Sequence, residues 1–346
     1  MTSRQKRKRP ISQRRRSHKL TIAIIGAGRL GIALGLALKA AGHTINIAVA
    51  RSARSARRAA ALLKTQGTAV GPQQLHQIRA SDRSLLGQSD VILITTPDDR
   101  IQRIASELAA TSELKSNVTR RPAPIVLHTS GALTSEVLTP IRELRFATGS
   151  MHPLMSISGE PNQSQPFSGI HFALEGDTAA LRIGKQLVRD LGGNSFVIDR
   201  QSKPLYHAAA VMASPSVTAL IDIAIEMLRH CGISSSQARK VLLPLMQSTV
   251  ENLANQSPRL ALTGTFKRGD IDTVKLHLAA IASERLTDAL RAYATLGNRS
   301  LTISGVPKTR QRAIENLIAE AIARYEITGR VPTKSKPRAS KSPRRN

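Results

Sequence analysis

Apolar residues in the first two hundred positions fall into short runs separated by stretches with helical spacing. Residues 20–25 form a fully apolar run rich in β-branched side chains, typical of a strand buried on both faces of a parallel sheet. Residues 30–41 have the Ala and Leu pattern of a helix, and Gly42 is placed to end it. Residues 45–50 predict a second strand, so the three segments form a βαβ unit of about 30 residues.

More runs of strand length follow, and helical patterns lie between several of them. The predicted strands cover residues 91–95, 125–129, 146–151, 170–174 and 195–198. The predicted helices cover residues 101–108, 135–144 and 178–191. This alternation predicts an α/β domain with a doubly wound, Rossmann-type parallel sheet.

After about residue 200 the strand pattern ends and only helical patterns remain. They cover residues 203–230, 234–255, 270–280, 283–296 and 309–325. Pro215 and Pro244 are expected to kink the first two helices, because proline removes a backbone donor and clashes with the preceding turn. We therefore expect residues 20–200 to form the Rossmann-like domain and residues 201–326 to form an all-α domain for substrate binding and dimerisation.

The charge is concentrated at the two ends of the chain. Lys and Arg number 51 against 23 Asp and Glu, a net charge of +28 in 346 residues. Residues 1–19 hold nine of these bases and residues 327–346 hold seven, with no acid in either segment. We expect both segments to be disordered basic tails. Two interpretations stay open: weak contact with a nucleic acid or another polyanion, or plain solvation.

The remaining composition narrows the class of protein. Cys231 is the only cysteine, which excludes an internal disulfide and favours a reducing, cytoplasmic location. No cluster of Cys, His or carboxylates has the spacing of metal ligands, so we expect no metal site. Charged residues interrupt the longest apolar run, so we expect no membrane span.

A glycine motif stands between the first strand and the first helix. Gly26, Gly28 and Gly31 form the pattern GxGxxG within the segment Gly26, Ala27, Gly28, Arg29, Leu30 and Gly31. In that position the glycines permit a tight turn, a close approach of the backbone to a pyrophosphate, and close packing of helix on strand. The alternative is a glycine-rich turn that binds no ligand.

The end of the second predicted strand favours NADP(H) over NAD(H). An NAD site usually has an acid there, whereas this chain has Arg51, Ser52 and Arg54, which suit a 2′-phosphate. These residues could also be ordinary surface groups of a basic protein. Thr95, Thr96 and Pro97 close the next predicted strand, so their loop should lie over the cofactor.

With these motifs placed, the chain resembles the superfamily of 6-phosphogluconate and β-hydroxyacid dehydrogenases, to which deazaflavin-dependent NADP oxidoreductases are related. More closely it resembles Rossmann-like proteins with a helical C-terminal domain of unknown function. The residues that carry the likeness are GAGRLG at 26–31, VILITTPDDRI at 91–101, LHTSGAL at 127–133, SMHPL at 150–154, YHAAAVMAS at 206–214, LLPLMQSTVENL at 242–253 and LTGTFKRGDIDTVKLHL at 262–278.

The resemblance implies an NADP-dependent oxidoreductase, with two departures in the helix that leaves the sheet domain. Family members carry Lys followed four residues later by Asn, whereas here Lys203 is followed by Pro204 and then His207. Ser214 stands where the closer group has Asn. A proton-donating lysine therefore cannot be transferred from the family, and we consider the histidines instead.

Hydride transfer to C=O or C=N needs a neighbouring proton donor, for which histidine is suited. The candidates are His207, His152 and His128, with His207 first because its helix should line a substrate cleft between the domains. Ser130 lies beside His128 in the sequence and could polarise a substrate oxygen. For each histidine, the alternative is a structural role.

The helical half supplies candidates for substrate binding. Ser214 shares a helix face with His207, and Arg268 precedes a predicted helix start, where an anionic substrate group could bind. A solvated loop is the alternative for Arg268. The resemblance also implies a homodimer through the Ala- and Leu-rich helices.

Together these points predict an NADP-dependent oxidoreductase that transfers a hydride between NADPH and a small oxo or imino acid bound between the domains. The alternative is a non-catalytic NADP-binding regulatory protein whose basic tails bind a polyanion.

Overall fold

The computed structural model describes residues 19–70, 79–116, 123–158 and 167–329. The chain divides into two compact units, Met1–Ala213 and Ser214–Asn346. The predicted boundary at residue 200 therefore precedes the structural one by one helix. The predicted tails, and with them the predicted polyanion contact, lie outside the described residues apart from Lys19 and residues 327–329, which continue the last helix.

The first unit is built on one eight-stranded sheet in the order β3-β2-β1-β4-β5-β6-β7-β8. The strands are β1 Thr21–Ile25, β2 Thr44–Ala50, β3 Gly67–Val70, β4 Val91–Ile94, β5 Ile125–His128, β6 Ala147–Pro153, β7 His171–Gly176 and β8 Asn194–Val197. The first six strands have the order of a doubly wound dinucleotide-binding sheet, in which ligands bind beyond the carboxyl ends of the strands. The predicted Rossmann-type fold is confirmed.

One strand pair departs from the predicted parallel sheet. β7 runs antiparallel to β6, with Ser150 opposite Glu175, and β8 is parallel to β7. An apolar run predicts a strand but not its direction, because the same residues suit either orientation when both faces are buried. β6 also continues through His152, which the sequence had placed after the strand.

Helices cover both faces of the sheet. They are α1 Arg29–Ala40, α2 Ala53–Leu63, α3 Ala80–Gln88, α4 Asp98–Ala110, α5 Ser112–Ser116, α6 Thr139–Arg142, α7 Thr178–Asp190 and α8 Lys203–Ala213. The predicted helix at 135–144 is a 3-10 turn, Ser135–Leu138, followed by the short α6. One apolar core joins α1, α2 and α7 to the sheet, and a second lies under α4 on the opposite face.

The second unit is helical, as predicted. Its helices are α9 Pro215–His230, α10 Ser235–Asn255, α11 Pro258–Ala261, α12 Gly264–Arg268, α13 Ile271–Ser283, α14 Thr287–Ser304 and α15 Lys308–Gly329. Its core is formed mainly by apolar residues of α13, α14 and α15. Pro244 lies inside α10, which continues through it.

The predicted helix 203–230 is two helices. Proline disfavours helical geometry in the residue before it, and Ser214 accordingly takes φ −131° and ψ −78° between α8 and α9. Within the described residues, Lys203–His230 is the one helical segment long and apolar enough, by length and composition, to cross a membrane. The sequence predicts no membrane span here under the criterion of an uninterrupted apolar run, because polar residues such as Tyr206, His207 and Ser214 interrupt this segment.

Candidate functional site

The glycine motif forms a tight turn between β1 and α1. Gly26 has φ +103°, a conformation that side chains with a Cβ rarely adopt. The Thr95 hydroxyl donates to the Gly26 carbonyl oxygen at 2.7 Å and so ties the turn to the end of β4. A Cβ at Gly31 would stand 2.6 Å from both the Gly26 oxygen and Thr95 Oγ1, so only glycine allows this packing.

Beyond this turn lies a pocket of about 280 Å³. Its lining residues come from the ends of β1, β2 and β4 and from α2 and α4: Gly26, Ala27, Gly28, Ala50, Arg51, Ser55, Thr95, Thr96, Pro97 and Arg100. Six of the nine cofactor residues predicted in the glycine turn and the β4 loop therefore line it, whereas Arg29, Leu30 and Gly31 do not. Those three form the first turn of α1, whose N–H groups lack intrahelical acceptors.

The pocket has the features that a dinucleotide requires. A Cβ on Gly28 would meet nothing closer than 3.8 Å, so the space beside this glycine is open for a pyrophosphate. The first turn of α1 has no side-chain cap and no acid to compete with a phosphate. Thr96 Oγ1 is buried without a hydrogen-bond partner among the described residues, which leaves a polar group for a ligand.

The β2 end of the pocket is basic. Arg51 follows β2 and lines it, and α2 begins two residues later with no acid in its first turn. Arg100 of α4 adds a second cation to the lining of the pocket. Ser52 does not line the pocket, because its hydroxyl caps α2 by accepting from the Ser55 N–H at 3.2 Å. Arg54 is exposed and lies outside the lining, so of the predicted 2′-phosphate residues only Arg51 is placed at the pocket.

A second polar group lies along the same sheet edge, at the ends of β5 and β6. At its base is Lys203, the first residue of α8, whose side chain is fully buried. Lys203 Nζ donates to the Ser130 carbonyl oxygen at 3.0 Å, to Ser150 Oγ at 2.7 Å and to the Leu133 carbonyl oxygen. Burial lowers the pKa of Lys203 to about 8. All three ammonium hydrogens have acceptors, so this cation holds the loop after β5 against β6.

His128 is a structural residue in this arrangement. Its Nδ1 accepts from the Ser130 N–H at 3.2 Å, and its Nε2 lies 3.2 Å from the Thr134 carbonyl oxygen, to which it must donate. Burial, with the charge of Lys203 second, lowers the pKa of His128 to about 3. The ring is therefore neutral with both nitrogens used by the backbone, and it has no hydrogen available for a substrate.

Ser130 is also occupied. Its hydroxyl donates to Asp98 Oδ2 at 2.8 Å and accepts from the N–H groups of Ala132 and Leu133. These bonds shape the loop after β5 and join it to the start of α4, next to the dinucleotide pocket. The predicted role of this hydroxyl in polarising a substrate is therefore not supported by its contacts.

His152 and His207, by contrast, come together. Their rings meet edge to face with centroids 5.4 Å apart, and the Tyr206 hydroxyl lies 2.7 Å from His152 Nδ1. Gly131 forms the floor of this pair, since a Cβ there would collide with His207 Nδ1 and stand 2.9 Å from His152 Cε1. His207 Nδ1 is buried without a partner among the described residues. Burial, then the charges of His207 and Lys203, lowers the pKa of His152 to about 4.

A second basic residue fixes the approach to α8. Arg200 binds the buried Glu175 at 3.3 Å and Glu136 at 3.0 Å. Glu175 in turn accepts from the N–H and the hydroxyl of Ser135, both at 2.7 Å. The turn before α8 is thus bound to the loop after β5, which fixes the direction in which α8 leaves the sheet.

The predicted substrate residues of the helical unit are placed differently. Ser214 separates α8 from α9 and makes no side-chain capping bond. Arg268 is paired with Asp270, two residues further on, at 2.8 Å. Its neighbour Lys267 donates to the Ser304 carbonyl oxygen at 2.8 Å. Both cations are engaged within the unit, and both belong to the short helix α12 rather than to the loop that the alternative interpretation predicted.

Several residues of the site were not selected from the sequence, among them Ala50, which lines the pocket, and Lys203. Ser55 and Arg100 line the dinucleotide pocket, while Tyr206 and Ser150 contact His152 and Lys203. Tyr206 could have been found, because it neighbours His207 on a helix that leads out of the sheet. Within the described residues no group of three or more His, Cys, Asp or Glu side chains could hold a metal ion.

Two family models match the chain. A Rossmann-like domain matches residues 7–153, and a domain of unknown function, DUF2520, matches residues 170–300. His152 lies in the first match, whereas Lys203, Tyr206 and His207 lie in the second. The two matches therefore divide a side-chain cluster that the structure holds within one compact unit. No curated protein matches the chain by sequence.

Several solved structures are similar to this one. An NADP oxidoreductase from Bacteroides fragilis superposes with a TM-score of 0.62 at 21% identity, covering 82% of this chain and 98% of that one. A pyrroline-5-carboxylate reductase from Coxiella burnetii has a TM-score of 0.50 at 14% identity, covering 84% and 100%. An imine reductase from a Pseudomonas species has a TM-score of 0.50 at 16% identity, covering 89% and 95%. At these identities the likeness shows a shared fold.

Proposed function

We propose that this chain, which joins a Rossmann-like domain to the DUF2520 domain, is an NADPH-dependent oxidoreductase that reduces a small oxo or imino acid. One observation carries the proposal: a dinucleotide pocket and a histidine pair lie along the same carboxyl edge of one sheet. Adjacent strands are about 4.8 Å apart, so the ends of β4 and β6, with only β5 between them, are about 10 Å apart. That separation suits a cofactor at one site and its substrate at the next.

The basic end of the pocket supports NADPH rather than NADH. Arg51 and the start of α2 offer positive charge where an NAD site has an acid, Arg100 adds a further cation to the lining, and the lining contains no carboxylate. Gly28 and the first turn of α1 would hold the pyrophosphate, while Thr95, Thr96 and Pro97 would lie beside the nicotinamide half. When bound, the reduced nicotinamide supplies a hydride to the carbon of a C=O or C=N group.

The histidine pair supports the proton half of the reaction. A hydride added to C=O or C=N leaves a charge on oxygen or nitrogen that a nearby donor must neutralise. His128 is occupied by the backbone, so His152 and His207 are the two histidines of the edge that remain for this task. The similar structures point in the same direction, since their names designate an NADP oxidoreductase, a pyrroline-5-carboxylate reductase and an imine reductase.

We further propose a homodimer in the cytoplasm. Large apolar side chains are exposed along α10 and its neighbours, among them Leu245 and Val250 at 65% and 64%. Exposed apolar surface of this extent is typical of a protein interface. The free thiol of Cys231 is exposed, which suits a reducing compartment. Light scattering of the full chain should give twice the monomer mass, and a monomer at micromolar concentration would contradict the dimer.

The cofactor assignment is tested by titrating the full chain with NADPH and NADH and following the fluorescence of the reduced nicotinamide. We expect NADPH to bind at least about tenfold more tightly, because a 2′-phosphate gains charge-assisted bonds at Arg51. Arg51→Ala should remove this preference. Arg54→Ala is the matched control, since its side chain lies three positions further along the chain and outside the pocket, and it should leave both affinities unchanged. Failure of both nucleotides to bind would exclude the proposed function.

A further inference from the structure

We propose that His152 delivers the proton as a neutral ring through Nε2–H, and that Tyr206 is the positioning residue that fixes this tautomer and replaces the proton from the other side. This inference rests on the proposed reductase function and assigns the proton route within it. Tyr206 is not among the site residues predicted from the sequence.

The tautomer follows from the contact between the two rings. The Tyr206 hydroxyl oxygen and His152 Nδ1 are 2.7 Å apart, so one hydrogen lies between them. Burial raises the pKa of Tyr206 to about 12, which keeps the phenol protonated near neutral pH. The hydroxyl makes no other hydrogen bond within the described residues, so its hydrogen is assigned to this contact with Tyr206 as the donor. His152 Nδ1 therefore accepts, and the single hydrogen of the neutral imidazole must be on Nε2.

The phenol is held in place from two sides. Its ring meets Phe196 edge to face with centroids 5.9 Å apart and meets His152 at 5.8 Å. α8 carries Lys203 and Tyr206 three residues apart, so the buried ammonium and the phenol are on the same side of that helix. Because Lys203 is fixed to Ser130 and Ser150, the helix brings Tyr206 to His152 with little freedom.

The surroundings of His152 favour the neutral ring. The titratable groups that face it are Tyr206, His207 and Lys203 from α8, and His128 from the neighbouring strand β5. There is no carboxylate among these four groups to stabilise an imidazolium, and the cation of Lys203 opposes one. His152 is partly exposed, and its Nε2 makes no hydrogen bond within the described residues, so this hydrogen is available.

The proton step balances without a charged histidine. The C=N or C=O carbon accepts a hydride from NADPH, and the electron pair of the double bond moves to nitrogen or oxygen. That atom takes the Nε2 hydrogen of His152 while Nδ1 takes the phenolic hydrogen of Tyr206. The imidazole stays neutral with its hydrogen on Nδ1, and the tyrosinate regains a proton from water. A neutral histidine can act in this way without first being protonated to an imidazolium.

The inference is tested on the full chain by nitrogen NMR of histidine labelled with ¹⁵N, without any cofactor present. His152, assigned by its absence in His152→Gln, should give the pattern of a neutral ring protonated at Nε2 that does not change between about pH 6 and 8. Tyr206→Phe removes only the hydroxyl and should give a mixture of tautomers. A ring protonated at Nδ1, or an imidazolium near pH 7, would overturn the proposal.

A second His–Tyr pair provides the control. His277 Nδ1 lies 2.8 Å from the Tyr293 hydroxyl in the helical unit, far along the chain from the sheet edge. Tyr293→Phe should change the His277 signals and leave those of His152 as they are. If Tyr206→Phe leaves the His152 pattern unchanged, Tyr206 does not set the tautomer and the inference is wrong, although the NADPH titration would stand independently of that result.

Turnover gives the second readout, with NADPH oxidation measured on pyrroline-5-carboxylate as the probe. We expect His152→Gln to lower kcat about 10²-fold and Tyr206→Phe about tenfold, each with little change in the KM for NADPH. A loss in His207→Ala together with full activity in His152→Gln would assign the proton to His207 and refute the proposed route. Absence of any oxidation by the wild-type chain would refute the proposed substrate class instead.

Discussion

At the ends of β1, β2 and β4 the pocket is shaped by the backbone, whereas at the ends of β5 and β6 the site is shaped by side chains from distant parts of the chain. The glycine turn needs small residues at fixed spacing and little else. The histidine cluster needs Lys203, Ser130 and Ser150 to hold the frame before Tyr206 can meet His152. A motif can encode the first kind of site, but only tertiary contacts define the second.

Two histidines on this edge show the same difference at the scale of one residue. His128 and His152 stand near the ends of adjacent strands, and both have a lowered pKa. His128 gives both nitrogens to backbone groups, while His152 gives one to Tyr206 and keeps the other open. Residue type and position in a strand are therefore not enough to separate a structural histidine from a reactive one. The hydrogen-bond partners of each ring nitrogen distinguish the two roles.

The largest effect is expected from a substitution in the glycine turn, where the backbone shapes the pocket. Gly31→Ala places a Cβ 2.6 Å from the Gly26 carbonyl oxygen, so the turn must shift. We expect a loss of about 2 kcal/mol or more in the free energy of unfolding, measured by urea titration, and a fall in NADPH affinity of about 10²-fold or more.

Gly28→Ala is the matched comparison for that variant. Its Cβ meets no atom within 3.8 Å, so the free energy of unfolding should stay within about 0.5 kcal/mol of the wild type. NADPH affinity should still fall, because the methyl group occupies the approach to the pyrophosphate. Equal destabilisation by the two substitutions would contradict the explanation that close packing at Gly31, and open space at Gly28, cause the difference in stability.

The next largest effect is expected from a substitution beneath the histidine pair, where side chains shape the site. Gly131→Ala should displace both rings, because its Cβ collides with His207 Nδ1 and stands 2.9 Å from His152 Cε1. We expect kcat to fall roughly 10- to 100-fold while NADPH affinity is kept, since the glycine turn is untouched. An undiminished kcat would mean that the two rings do not need this floor, and a loss of NADPH binding would mean that the two halves are not separable.

A smaller effect is expected from acid. The pKa of His128 is about 3 in the folded chain against an ordinary value of 6.5, so the unfolded chain binds more protons between these values. The free energy of unfolding should therefore fall as the pH is lowered from 6.5 toward 3, and this contribution is fully present above 6.5. His152 should add to the same decline, because its pKa is also lowered, to about 4.

This decline is measured by urea unfolding at pH values from about 7 to 5, followed by circular dichroism because the chain has no Trp. His128→Gln should reduce the slope of stability against pH, whatever its effect on stability at neutral pH. His277→Gln, on an exposed position of α13, is the control and should keep the wild-type slope. A slope unaffected by His128→Gln would place the acid-sensitive groups elsewhere.

Much of the fold was predictable because its signals are local. The runs that became β1, β2, β4 and β5 are apolar on both faces, and the glycine turn is fixed by spacing. Prediction failed where the outcome depends on strand pairing, as in the direction of β7 and the extension of β6 through His152. At Pro215 a kink was predicted, and the structure has a full break between two helices at Ser214. The shorter elements α2, β3 and α3 were also missed, since their patterns are too polar or too brief to stand out.

The residues of the candidate site also divide into those that local sequence signals predict and those that depend on tertiary contacts. Gly26, Gly28, Arg51 and the β4 loop could be selected from sequence because their roles follow from backbone geometry and charge. Position beside His207 could have marked Tyr206 as a candidate, but the roles of Lys203 and Tyr206 could not be predicted, because burial and hydrogen-bond partners give them those roles. Ser130 and His128 were selected by residue type and position in the sequence, whereas the structure shows their polar atoms bonded to the loop after β5 and to Asp98 of α4.

The return of α8 to the sheet edge also bears on when the site forms during synthesis. Lys203 bonds to Ser130 across 73 residues, and Tyr206 bonds to His152 across 54. Closing loops of this length costs entropy before any contact compensates for it, so such contacts tend to form late. A nascent chain that has delivered only β1 to β4 can already shape the dinucleotide turn. Its histidine pair must wait until α8 has emerged and docked, so the ability to bind nucleotide would mature before the ability to react.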